Sequence, residues 1–259
     1  MRKFLLALTT LALAGDFAAR AQAEDWVVTL GARLRATPAY EGADGVVLFP
    51  TPVLGLRRAD EPDRYTAPDD GLKLPLLRTG VFTFGPVLRL TGKRDATGDR
   101  VGLREVHWAG EPGVYVDIRP AAWLRAHVEM RKGVHGHDGW VSDAGLDFIR
   151  DRAPWVVAAG PRLGWGSRDY MDTYFGVTPA EAAASPAVST SFSPGSGLRY
   201  YGAEATVVRS LDEHWKVAAF GGFHQLTGDA KASPIVQAVG SDHNYFGGVG
   251  LSYSFTVHR

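Results

Sequence analysis

The residues that could carry chemistry fall into three groups. His135-Gly136-His137-Asp138 places two imidazoles and a carboxylate within four positions, and both are common metal ligands. The run sits among glycines with no further ligand at metal-site spacing, so the expectation is a solvated loop without a metal. His214, His224, Asp229 and His243, with a serine, hold the parts of a nucleophilic triad, which would have to cluster at one rim. Ser193-Pro194-Gly195-Ser196-Gly197 lacks the residue pattern and strand-to-helix setting of a nucleophile elbow. No catalytic, cofactor-binding or metal-binding residue is assigned from these. The third group is Arg33, Arg35, Arg89, Arg125, His127, Glu129 and Arg131, carried by segments in which polar and apolar residues alternate. Residues two apart share one face of a strand, where opposite charges can pair across neighbouring strands.

The segments that position these charges are strands. Leu124, Ala126, Val128 and Met130 alternate with Trp123, Arg125, His127, Glu129 and Arg131. Five polar or amphipathic residues on one face would be hard to bury in a sandwich core, but they suit a wet lumen. At the end of the chain, Val249, Leu251, Tyr253 and Phe255 alternate with Gly248, Gly250, Ser252 and Ser254 in the same way. The chain is read as all-β, an antiparallel transmembrane β-barrel. Counting Arg64–Ala67 and Leu72–Leu77 separately gives twelve strands; ten is the alternative if those two pieces form an irregular excursion. Pro50 and Pro52 place the second strand near an edge, bent or short. Long loops follow strands 1, 5, 7, 9 and 11 and short turns follow strands 4, 6, 8 and 10, which matches short periplasmic turns and longer extracellular loops. Of the longest loop, only Pro179–Ala184 reads as helical. Trp26, Trp155, Trp165, Trp215, Tyr253 and Phe255 are expected to anchor at the membrane interfaces.

The amino end adds a destination. Arg2 and Lys3 precede the apolar run Phe4–Ala14, and Ala21-Gln22-Ala23 has the small-x-small form of a cleavage site. Residues 1–23 are therefore read as a signal peptide and residues 24–259 as a single barrel domain, placed in the outer membrane of a Gram-negative cell. Removing Arg2, Lys3, Arg20 and Asp16 from 28 basic and 28 acidic residues leaves a net charge of −2, which recruits no nucleic acid. The absence of cysteine excludes a disulfide framework.

Gly160–Ser185, reading GPRLGWGSRDYMDTYFGVTPAEAAAS, resembles the signature of the MltA-interacting protein (MipA/OmpV) family. So do Gly228–Phe255 and the early TPAYEGAD with its following LFPTPVLGL. The resemblance covers essentially the whole chain after the leader, although Thr256–Arg259 departs from the family's usual aromatic end. It implies a non-enzymatic outer-membrane barrel. It also implies a scaffold that links a lytic murein transglycosylase to a bifunctional penicillin-binding protein, with outer-membrane lipid as its surroundings and no cofactor. Asp169, Tyr170, Met171, Tyr174, Phe175, Gly176 and Val177 carry the family motif as loop structure or recognition. A narrow channel for small solutes along the arginine faces is the alternative, and an outer-membrane lipid-modifying hydrolase the third reading.

Overall fold

A computed structural model describes residues 25–258, and the expected signal peptide lies outside the described residues. Ten long antiparallel strands form most of the wall: β1 (Trp26–Pro38), β2 (Val46–Arg58), β5 (Phe82–Thr91), β6 (Ala109–Ala121), β7 (Leu124–Lys132), β8 (Trp140–Arg152), β9 (Trp155–Gly166), β10 (Gly197–Ser210), β11 (Trp215–Leu226) and β12 (His243–Val257). Two short pieces, β3 (Leu72–Lys73) and β4 (Leu77–Arg78), both pair with β5. The order β2-β1-β12-β11-β10-β9-β8-β7-β6-β5-β3 makes a nearly closed barrel, in which β1 and β12 join the two ends of the chain. The count of twelve is met, but through different pieces. Arg64–Ala67 is not a strand. Leu72–Leu77 runs along β5 and is split because Pro75 has no donor, while Leu74 N and Leu76 N still bond Pro86 O and Phe84 O at 3.1 and 3.0 Å.

The two faces of the wall are the reverse of a soluble barrel. Leu34, Val114, Val128, Phe148, Leu163, Val249 and Leu251 point outward and stay exposed, while Arg125, Glu129, Arg131, Asp147 and Arg162 are buried within. Such a wall is stable with lipid outside and paired charge inside. Trp155, Trp165 and Trp215 lie on the exposed face. The closing strand is longer than Asn244–Phe255, since Thr256 and Val257 still pair with Val27 and Trp26. His258 Nδ1 then lies 2.8 Å from Asp25 Oδ2. Part of the non-aromatic tail is thus strand.

The seam of the barrel lies between β2 and the β3–β4 stretch. Pro50 and Pro52 share a parity and withhold donors from one edge, and β2 pairs only with β1. It is a full 13 residues long, so the prolines mark an edge and do not shorten the strand. From the end of β2 the chain turns inward. Ala67 and Pro68 are buried, and Arg33 Nη1 donates to Pro68 O at 2.8 Å. Pro68-Asp69-Asp70-Gly71, which lies between the two short pieces expected as strands, is an internal plug.

The long loops gather at the end opposite the chain termini and form a cap with its own core. Helix α1 (Arg168–Phe175), α2 (Pro179–Ala184), α3 (Gly228–Ala232) and α4 (Pro234–Val239) belong to it. Tyr170, Met171, Tyr174 and Phe175 of α1 pack with Val106, Val141, Leu226 and Val236, and a second cluster joins Leu103, Val177, Val188, Ile235 and Val239. Only α2 was legible, through the helical propensity of Pro179–Ala184, and the structure starts it with a capping box of Thr178 with Glu181.

Candidate functional site: a charge-filled lumen under a cap

The lumen is built from inward positions of β5–β10 and the plug. Arg125, wholly buried, donates from Nη1 to Asp147 Oδ2 at 2.9 Å and from Nη2 to Asp70 and Asp117 at 2.8 and 2.9 Å. Arg131 bonds Glu111 at 3.0 Å and Glu129 at 2.6 Å, and it also contacts Asp143. Arg162 holds Asp69 and Asp147, both at 2.7 Å. Arg89 reaches Glu129 at 2.9 Å and Asp69 O at 2.6 Å, and Lys73 reaches Asp70 at 2.7 Å. Asp70, Asp117, Glu129, Asp143 and Asp147 each meet more than one cation, so these charges support one another and leave little free capacity. The arrangement tethers the plug to the wall and occupies the central lumen.

The seven predicted lumenal residues divide into two sets. Arg89, Arg125, Glu129 and Arg131 sit in this network, and His127 is buried beside it, Nδ1 3.7 Å from Asp147. Arg33 and Arg35 stand apart on β1. Arg33 bonds the plug carbonyl, and the Arg35 guanidinium lies 4.4 Å from the centre of the Phe246 ring. Asp69, Asp70 and His127 come close enough to share a cation, but Arg162, Arg125 and Lys73 already hold the carboxylates.

The histidine-rich loop is not a solvated loop throughout. His137 is buried, with Nε2 3.0 Å from Glu111 Oε1 and its ring edge-on to Tyr170 at 4.9 Å. It links the lumenal network to the cap. The triad candidates are scattered: His214 stacks on Tyr253 at the terminal end, His224 stacks on Tyr200, and Asp229 accepts from Gly195 N in the cap.

The family-motif residues are mostly packing residues. Tyr170, Met171, Tyr174, Phe175 and Val177 are buried, Gly176 closes α1, and Asp169 is exposed. Arg94 donates to Tyr174 O at 2.5 Å and Ser233 Oγ to Phe175 O at 2.7 Å, so neighbouring loops satisfy the end of α1. Tyr170 Oη donates to Glu41 at 2.8 Å.

Glu181 ties α2 to the loop after β5. Its carboxylate accepts from Arg104 N, Nε and Nη2 at 2.7, 2.9 and 3.0 Å, and from Thr178 N at 2.8 Å. Desolvation pushes its pKa up from 4.5, but the bonds from Arg104 and Thr178 outweigh this and bring it down to about 2. A depressed carboxylate stabilises the fold above its ordinary range, and that contribution fades as pH falls. Pepsin cleavage within residues 177–196 is therefore expected to rise as pH falls from 4.5 toward about 2. Glu181→Gln should remove this pH step, and a step that persists in the variant would assign it elsewhere.

Sequence reading missed Asp69, Asp70, Glu111, Asp143, Asp147, Arg162 and Arg199 as interior groups. The signal was present for Asp143 and Asp147, which share the inward parity of β8 with the buried Val141 and Ile149. For Asp69 and Asp70 there was none, because a loop sequence does not state that it folds inward.

A model of the family described as MltA-interacting protein MipA matches residues 30–255. No curated protein matches the chain. Among solved structures, the NanC porin is 8% identical, with 89% of this chain and 99% of that chain covered and a TM-score of 0.41. The COG4313 outer membrane channel from Pseudomonas putida F1 is 12% identical, with 90% and 95% covered and a TM-score of 0.41. OmpT, an outer membrane protein of Vibrio cholerae, is 10% identical, with 89% and 96% covered and a TM-score of 0.36.

Proposed function

The chain belongs to the MltA-interacting protein MipA family, and on that footing we propose that it is a closed, non-enzymatic scaffold in the outer membrane. Its partners on this reading are a lytic murein transglycosylase, in keeping with the family's name, and a bifunctional penicillin-binding protein. The observation that carries the proposal is the plugged lumen. The segment around Asp69 and Asp70 is clamped to the wall by Arg125 and Arg162, while the cap closes the opposite mouth. A barrel filled in this way serves as a membrane anchor. The terminal end then faces the periplasm and offers Arg57–Asp63, Arg150–Ala153 and Ser210–His214 for docking.

The channel reading predicts the opposite electrical behaviour. The refolded protein in a planar bilayer is expected to be silent. The double variant Asp69→Ala/Asp70→Ala, which releases the plug, is expected to open ion-conducting steps. Stable steps in the unsubstituted protein would overturn the closed barrel. The docking half is tested separately: the folded barrel should capture a purified lytic transglycosylase and lose it when the three terminal-end turns are replaced by glycine and serine. Capture that survives all three replacements would remove these turns as the docking surface.

A further inference from the structure

The outer face of the wall is not uniform at its terminal rim. Arg150 and Arg152 at the end of β8, and Arg209 at the end of β10, are exposed and take the outward parity of Phe148 and Val207. None of the three makes an ion pair among the described residues. The acids beside them in sequence are committed elsewhere. Asp151 has the inward parity of β8, and Asp212 accepts from the backbone of His214 and Trp215 in its own turn. Arg58, the outward arginine at the end of β2, is by contrast paired with Asp60 and Glu61. Trp155 stands amid the unpaired three. It is the register partner of Arg152 on one side and of Arg209 on the other, and the Arg209 guanidinium lies 5.1 Å from its ring centre. The same cross-strand row then leads away from the rim, from Arg209 to Val217, Leu251 and Ala32. Arg152 and Trp155 terminate their strands, whereas Leu251 and Ala32 lie six residues inside β12 and β1. Six residues of strand are about 20 Å, so the row starts at the rim and ends in the middle of the wall. Along it runs an outer groove of about 730 Å³, lined at the rim by Trp155 and Arg209 and floored by the small Ala32 and Ala219 between Leu34, Val249 and Leu251.

We propose that this groove seats one anionic phospholipid from the leaflet at the terminal end of the barrel. Its phosphodiester meets Arg150, Arg152 and Arg209, and an acyl chain lies along Ala32 and Ala219. Cationic and aromatic at the rim but apolar within, the groove repeats the polarity of such a lipid along one line. Guanidinium groups suit the headgroup, because their planar N–H forks match phosphate oxygens. Net charge selects among headgroups. A phosphatidylcholine brings its own cation to the three arginines, whereas a phosphatidylglycerol brings only the negative charge that they lack. The groove selects for the chain, since a free headgroup leaves its apolar length empty. This inference needs the barrel to lie in a membrane and is independent of the scaffold reading.

The test is native mass spectrometry of the folded barrel in detergent, titrated with phosphatidylglycerol or phosphatidylcholine of the same acyl chains. One phosphatidylglycerol should be retained, at a concentration at least about tenfold lower than phosphatidylcholine requires. Arg150→Ala/Arg152→Ala/Arg209→Ala should erase this preference, and Arg58→Ala should keep it. Ala32→Trp/Ala219→Trp, which fills the groove and leaves the arginines, should weaken phosphatidylglycerol retention at least about tenfold. Glycerol phosphate, the headgroup charge without chains, should not be retained. Heat-modifiable migration in gels verifies that each variant is folded. Equal retention of the two lipids, or a preference that survives the triple arginine variant, would overturn the inference. So would an equal loss in Arg58→Ala, undiminished retention in the filled groove, retention of glycerol phosphate, or a dimer that keeps lipid off this face. These readouts use lipid alone, so they stand apart from conductance and from capture of a murein enzyme.

Discussion

Arg125→Ala is expected to lower the unfolding free energy of the barrel by about 3–5 kcal/mol, the cost of removing one partner from a buried ionic group. One guanidinium serves three carboxylates here, from the plug (Asp70), from β6 (Asp117) and from β8 (Asp147), and it has no exposed surface. Truncation leaves Asp147 with Arg162 and Asp70 with Lys73, while Asp117 keeps only the 3.4 Å contact with Lys73. The loss is therefore shared and not confined to one pair. Urea unfolding of the refolded protein, followed by tryptophan fluorescence, measures it. Arg125→Lys should fall between, because it restores a charge without the planar fork that reaches three acids. A loss below about 1 kcal/mol for Arg125→Ala would mean that the network gives little net stability.

Phe175→Ala should act on the cap and leave the wall intact. The side chain is fully buried among Met171, Tyr174 and the residues of α4, and truncating a buried phenylalanine costs about 3–5 kcal/mol. The cap is held to the barrel mostly through its own side chains, so the cost falls on its local opening. External protease should cut within residues 177–196 while the folded barrel still migrates as a heat-modifiable band. Asp169→Ala, in the same motif but exposed, should change stability by less than about 0.5 kcal/mol. If Phe175→Ala leaves the loop protected, the motif does not act through packing. If Asp169→Ala abolishes partner capture without loosening the cap, recognition enters the motif at that residue.

The division within the motif also shows why sequence alone left it open. Tyr170, Met171, Tyr174 and Phe175 have the spacing of one helical face, but an eight-residue helix has too few turns to announce itself. It forms because Val106 of the loop after β5, Leu226 at the end of β11 and Val236 of α4 cover that face. Helix α2 was readable from the helical propensity of Pro179–Ala184, and Thr178 with Glu181 supplies its start locally.

What the sequence determined by itself was the wall. Two-residue alternation is a local property, and Arg125, Glu129 and Arg131 can take only one side of a strand once Val128 and Met130 take the other. Loop lengths settled which end carries the turns. The tertiary structure alone decided whether the lumen is empty or full. Asp69 and Asp70 look like the acids of a surface turn, and only the inward path after β2 brings them to Arg162 and Arg125. It also decided which arginines are satisfied. Arg33 and Arg131 look alike in sequence, but partners many residues away give Arg131 three carboxylates and leave Arg33 a single backbone carbonyl. Pairing across a barrel is long-range, and no local pattern encodes it.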